Sequence, residues 1–104
     1  MSIEGPGFKE LIEQKTYQKL KPPVMYKVIL LNDDYTTMEF VVYVLEDVFH
    51  KNNDEANQIM MLVHKKGSGL CGIYTKDIAE TRIKRVNELA IQHDFPLKCI
   101  MEKD

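Results

Sequence analysis

Residues 24–40 read VMYKVILLNDDYTTMEF, and the way this stretch breaks in the middle decides the fold. Val24 to Leu31 is rich in Val, Ile, Leu and Tyr and predicts a strand. Tyr26, Val28 and Leu30 share one side of it, and Met25, Lys27, Ile29 and Leu31 share the other. The apolar run stops at Asn32-Asp33-Asp34. Thr36 and Glu39 then form a Thr-x-x-Glu capping-box pattern, which starts a helix at Thr37 and carries it to about His50. Met38, Val41, Val42, Leu45 and Phe49 recur at helical spacing, with Phe40, Val44 and Val48 beside them, so this helix packs deeply.

Working outward, Lys51-Asn52-Asn53 makes a turn in which Asn53 can cap a second helix. Asp54 and Glu55 suit that helix's positive end, and Ala56, Ile59, Met60 and Val63 form its inward stripe. Gly67 can stop it, and Ser68-Gly69 extends the turn. Leu70 to Tyr74 predicts a second strand, and Thr75 caps a third helix over roughly Lys76 to His93. Ala79, Ile83, Val86 and Ala90 line that helix's buried side. Pro96 ends the next connection, and Leu97 to Met101 predicts a last strand. The order is β-α-α-β-α-β, an α/β two-layer sandwich of a small three-stranded antiparallel sheet and three helices. Strand order does not follow from the alternation, which is imperfect. Lys21-Pro22-Pro23 marks a boundary, so residues 1–23 are expected to form a flexible extension and 24–104 the folded core.

The chain has 104 residues, enough for one domain, and 44% hydrophobic residues, enough for a packed core. Fourteen basic and sixteen acidic residues give a net charge of −2 without long blocks of either sign, which points away from nucleic acid. No apolar run is long enough to cross a bilayer, and MSIEGPGFKE lacks the pattern of a secretion signal, so the expected location is the cytoplasm. Cys71 and Cys99 form no close pair and read as buried thiols. Neither they nor His50, His64 and His93 show the paired spacing of a zinc site, so no metal or cofactor is expected. Ser2 and Ser68 lie in no nucleophile motif and no Gly-rich phosphate loop is present, so catalysis is not expected.

Two features carry candidate chemistry. Asn32, Asp33 and Asp34 can be plain turn formers, since their side chains bond to nearby backbone groups. An amide beside two carboxylates can also hold a cation, although the spaced oxygens of a calcium loop are missing. His64 continues the inward stripe of the second helix, eight residues after Ala56 and four after Met60. It can be a satisfied histidine at the core edge, or a neutral imidazole whose acceptor nitrogen faces an ammonium group. Six methionines are many for so short a chain, and they suit either core filling or an adaptable apolar pocket.

Taken in order, these residues resemble the ClpS family of protease adaptors. The resemblance runs through Pro22-Pro23-x-x-Tyr26-Lys27-Val28 and Leu31-Asn32-Asp33-Asp34-Tyr35-Thr36-x-Met38-Glu39-Phe40-Val41. It continues in Met60-x-x-Val63-His64-x-x-Gly67, Cys71-Gly72, Ala79-Glu80-Thr81 and Pro96-Leu97, and covers about residue 20 to the end. It implies a non-enzymatic adaptor that recognises N-degron substrates by a first residue of Phe, Leu, Tyr or Trp. It also implies delivery to ClpA, the hexameric unfoldase of the ClpAP protease. Matched motif by motif, Asn32, Asp33 and His64 would hold the substrate's α-amino group, with Asp34 and Thr36 completing the rim. Met38 would be the gatekeeper, and Val41, Met60, Val63 and Leu97 would line the apolar pocket. Asp77, Glu80 and Arg82 would dock on ClpA's N-terminal domain, although they also read as ordinary surface charges. The extension would take part in substrate hand-over. Two positions depart from the family pattern: Thr37 stands where Pro is frequent, a mild loss at a helix start, and Gly69 where Ala is usual. A ClpA-binding module that reads no N-terminus, and a small enzyme using His64 and Cys71, are the rival readings.

Overall fold

The computed structural model describes residues 22–104, and the expected extension lies outside the described residues apart from Pro22 and Pro23. The elements run β1 (Met25–Leu31), α1 (Met38–Asp47), α2 (Asn53–Lys66), β2 (Ser68–Thr75), α3 (Lys76–Gln92) and β3 (Lys98–Lys103). The β-α-α-β-α-β order and the three-stranded antiparallel sheet are as the sequence predicts. The strand order, which the sequence left open, is β2-β1-β3, with the most apolar strand in the middle and paired on both edges.

Side-chain alternation on β1 sends Val28 and Leu30, both fully buried, into the core. They meet Phe40, Val41, Val44 and Leu45 of α1, Ala56, Met60 and Val63 of α2, and Ala79, Val86, Leu89 and Ala90 of α3. The opposite face carries Ile29, cross-paired with Leu70 on β2 and Ile100 on β3. The register of β1 against β2 slips between Val28, opposite Gly72, and Ile29, opposite Leu70. Cys71 is therefore the extra residue of a β-bulge, and it is buried. Gly69 allows close approach of the two layers: a Cβ there would lie 2.7 Å from Val63 Cγ2.

Two helix starts differ from the expectation by one residue. Thr37, not Thr36, caps α1, its hydroxyl accepting from the Phe40 N–H at 3.1 Å. The reason is that the Thr36 hydroxyl is already committed to Asp33, as described below. Thr37, counted as a loss against the family's Pro, therefore supplies a bond that Pro lacks. Asn52, not Asn53, caps α2. Its side-chain oxygen accepts from Glu55 N–H at 2.8 Å and its amide donates to the Glu55 carboxylate at 2.9 Å. The reciprocal pairing with a Glu three residues on is available to Asn52 and not to Asn53, which has Ala56 at that offset. Gly67 ends α2 in the left-handed region at φ 91°, as expected of a glycine C-cap. Strand β2 starts at Ser68 rather than Leu70, so the turn is tighter than predicted.

Candidate functional site

The loop between β1 and α1 is shaped by one carboxylate. Asp33 Oδ1 accepts the backbone N–H groups of Tyr35, at 2.8 Å, and Thr36, at 2.6 Å. Asp33 Oδ2 accepts the Thr36 hydroxyl at 2.6 Å. Partial burial pushes the Asp33 carboxyl up, but the three bonds, led by the Thr36 hydroxyl, together outweigh it and hold it below its ordinary value. Asp33 is therefore an anion at neutral pH. An ionised carboxylate offers about four lone-pair sites, and the loop takes three, so one on Oδ2 stays open.

A second contact brings the loop to α2. The N–H of Asn32 donates to the carbonyl of Gly67 at 2.9 Å. His64 lies three residues before Gly67, in the last turn of the same helix. The left-handed turn at Gly67 thus places the Asn-Asp-Asp triplet beside the imidazole. Beneath them α1 contributes Val41 and α2 contributes Met60 and Val63, all buried.

The result is a cavity of about 250 Å³ lined by Asn32, Asp33, Asp34, Thr36, Met38, Val41, Met60, Val63 and His64. Pockets for drug-sized ligands run to ~300–1,000 Å³, so this one suits a single side chain. Its floor is apolar, and its mouth bears two carboxyls, an amide and an imidazole. Among the described residues, no Lys or Arg lines it. Met38, in the first turn of α1, is 43% exposed and stands at the opening. Every residue expected at the amine site, the rim and the gate lies on this cavity.

Leu97, the remaining residue expected in the apolar lining, is buried at 4% exposure, in the same core cluster as Val41, Met60 and Val63 of the cavity floor. It directly precedes β3, and two-residue alternation sends it to the same interior side as Cys99. The three residues expected to dock a partner are not one patch. Asp77 and Glu80, three apart on α3, share a face and are exposed. Arg82 sits about 140° from Asp77 at ~100° per residue. It turns inward, donating to the Val48 carbonyl at 2.6 Å, with His50 Nε2 3.1 Å away and the Tyr74 ring 5.8 Å from its guanidinium. Sequence reasoning missed this anchor, since nothing local links Arg82 to the end of α1. The catalytic rival also fails here. Cys71 is 1% exposed and burial pushes its thiol up, which leaves no thiolate nucleophile; burial pushes Cys99 up to about 12.

Comparison with known proteins bears on what this cavity belongs to. A family model described as ATP-dependent Clp protease adaptor protein ClpS matches residues 21–100. The chain belongs to the ClpS family. It is 52% identical over 101 residues to the ATP-dependent Clp protease adapter protein ClpS of Rhodospirillum centenum, covering 97% of this chain and 92% of that one. It is 56% identical over 90 residues to the ClpS of Parvibaculum lavamentivorans, covering 86% and 82%. Among solved structures, Agrobacterium tumefaciens ClpS2 bound to L-phenylalaninamide superposes with a TM-score of 0.77 at 42% identity, over 80% of this chain and all of that one. A ClpS protein is an adaptor and not an enzyme, and its partners are a Clp protease and that protease's substrates. Among the described residues, no helix of this ClpS-family chain is long and apolar enough to cross a membrane.

Proposed function

We propose that the chain is a cytoplasmic adaptor that captures N-degron substrates by their first residue and delivers them to the ClpAP protease. The observation that carries this reading is the cavity itself, an apolar well with an electronegative mouth. A chain start differs from every internal residue by one ammonium group, which has three N–H donors and an unperturbed pKa of about 7.7–8.0. The mouth offers three acceptors for them: the Asn32 amide oxygen, the open lone pair of Asp33 and an imidazole nitrogen of His64. Asp34 and Thr36 complete the rim. Charge-assisted bonds of this kind contribute roughly 1.5–3 kcal/mol each, and a buried Leu or Phe side chain adds about 1.5–3 kcal/mol. Together they select an apolar residue that also has a free amine. Phenylalaninamide, the ligand of the Agrobacterium relative, has both features and an amide where a chain would continue.

The cavity's size fits the family's preference for Phe, Leu, Tyr and Trp. Met38 is the gatekeeper: β-branched Ile and Val are wide near Cα and would meet it at the opening. Delivery runs through the N-terminal domain of ClpA, docked on the exposed Asp77–Glu80 face of α3, with Arg82 contributing from the neighbouring surface.

Titration with short fluorescent peptides tests the capture step. Peptides beginning with Phe or Leu bind, and acetylating the amine weakens them by more than about tenfold, the equivalent of one lost charge-assisted bond. Equal affinity for free and acetylated peptides would rule out the amine site. Binding of the isolated ClpA N-terminal domain to Asp77→Ala and Glu80→Ala variants tests delivery separately. Unchanged affinity in both would remove α3 from that interface.

A further inference from the structure

Five of the six methionines lie among the described residues, and they are unequally covered. Met60 is buried at 8% exposure in the cavity floor, and Met25, Met61 and Met101 are half-buried. Met38 is the most exposed of the five, at 43%. Its position is also distinctive. Met38 and Met60 line the first-residue cavity, and the same two side chains line a second recess, between α1 and α2, together with Glu39, Val42, Asn53 and Asn57. The pair is thus a partition between two spaces. The second recess measures about 270 Å³, room for several waters at ~30 Å³ each. A small solute can therefore reach Met38 from the recess as well as from the cavity mouth.

The chemistry open to an exposed thioether is oxygen transfer from a peroxide. The sulfur gives a lone pair to one oxygen of hydrogen peroxide, the O–O bond breaks, and after proton transfer the other oxygen leaves as water. Sulfur loses two electrons and the peroxide gains them, and the product is the sulfoxide. A thiol competes for peroxide as its thiolate. Cys71 and Cys99 are buried, at 1% and 7% exposure, and burial pushes both thiols up, which keeps them protonated and guarded. Sulfoxide formation turns a flexible apolar side chain into a polar one with an added oxygen. In the partition the companion of Met38 is the apolar side chain of Met60, so the new dipole faces apolar surface there. A polar group pressed against such surface without a hydrogen bond is unfavourable. The bulk at the opening, by contrast, is retained.

We propose that Met38 is a redox modification site: hydrogen peroxide converts it to the sulfoxide, which weakens capture of Phe- and Leu-initiated chains while the opening stays closed to Ile and Val. The proposal rests on the first-residue reading above and adds a chemical control to it. The test treats the full chain with hydrogen peroxide, locates the added oxygen by peptide mapping in a mass spectrometer, and titrates fluorescent peptides. Met38 is oxidised ahead of Met25, Met60, Met61 and Met101. Phe- and Leu-initiated peptides then bind about 3–10-fold more weakly, and Ile-initiated peptides are still refused. Methionine sulfoxide reductases A and B, supplied with a dithiol as reductant, restore the affinity. Met38→Leu has an apolar gate without sulfur, so peroxide shifts its affinity by less than about twofold from its own untreated value. Oxidation of any of the other four methionines ahead of Met38, an equal loss in Met38→Leu, or a loss that the reductases do not reverse overturns the proposal. Unchanged affinity of protein carrying the Met38 sulfoxide, or admission of Ile-initiated peptides by it, does so too, and with a free amine still required leaves the first-residue reading in place. Equal binding of free and acetylated peptides before any oxidation overturns both readings.

Discussion

Asp33 does two jobs with one carboxylate. It ties the loop that forms the rim, and in the proposed function its one open lone pair receives the substrate amine. The choice between turn former and cation holder, posed by the triplet in the sequence, therefore has no single winner. Replacing Asp33 by Asn separates the jobs. An amide oxygen can still accept the Tyr35 and Thr36 N–H groups, but the charge is gone. Asp33→Asn is expected to remain folded and to bind Phe- and Leu-initiated peptides about 10–100-fold more weakly, the loss of one charge-assisted bond. Calorimetric titration measures it, with circular dichroism as the fold control. A variant that binds as well as the parent protein would assign the amine to other acceptors. Met38 is a simpler case: at 43% exposure it contributes little to the core. Met38→Ala is expected to change stability by less than about 0.5 kcal/mol while admitting Ile- and Val-initiated peptides. If those peptides are still refused, the gate lies elsewhere. The polar residues of the cavity were legible as candidates, a turn former or cation holder in the triplet and a core-edge or acceptor histidine in His64. The residues alone left those alternatives open, and only the resemblance to a family joined them to Met38, Val41, Met60 and Val63 as one site.

Helix caps show the same limit one level up. Thr36 and Thr37 are equally good caps as residue types, and so are Asn52 and Asn53. The structure chooses between them by what else each side chain can bond: Thr36 is taken by Asp33, and Asn52 finds Glu55. Thr37→Ala is expected to cost about 1 kcal/mol in chemical denaturation, the usual value of a lost N-cap, whereas placing the cap at Thr36 predicts no loss. Gly67 joins an element boundary to the site. Its left-handed φ of 91° ends α2, and its carbonyl receives the Asn32 N–H. A Cβ there meets no atom within 4 Å, so the penalty of Gly67→Ala is backbone strain alone, about 1–2 kcal/mol. The chain relieves that strain by shifting the turn, which moves Asn32 away from His64. Peptide affinity is therefore expected to fall in Gly67→Ala although no side chain of the cavity changes. An affinity that stays constant while stability drops would separate the cap from the site. Arg82, bonded to the Val48 carbonyl at the end of α1 across 34 residues, shows that a charge on a predicted helix can also tie two elements together.

At the scale of the whole molecule, the element order was legible because the helical stripes and the turn residues between them are clear. The strand order was not, because the alternation in the strands is imperfect and antiparallel pairing of three short strands admits more than one arrangement. What the folded molecule adds is a charge held at the seam between β1, α1 and α2. The Asp33 carboxyl is depressed in the folded state, burial opposing and the hydrogen bonds from Thr36 and Tyr35 prevailing. The sign follows from linkage: the unfolded chain binds its proton at higher pH than the folded one. The stabilisation is complete above the unfolded pKa of about 3.9 and is lost as pH falls through the lower folded value. Many carboxylates titrate below pH ~4, so total acid unfolding does not isolate this one. The difference between the parent protein and Asp33→Asn does. Above pH ~5 the parent is expected to be the more stable of the two in urea, and the gap to close as the pH is lowered past ~3.9. Thr36→Val, which deletes the hydroxyl bond to Oδ2 and spares the loop's N–H groups, narrows the gap and raises the pH at which it closes. If the two proteins instead lose stability in parallel over that range, the carboxylate does not hold the seam, and the loop owes its shape to the Asn32–Gly67 bond alone.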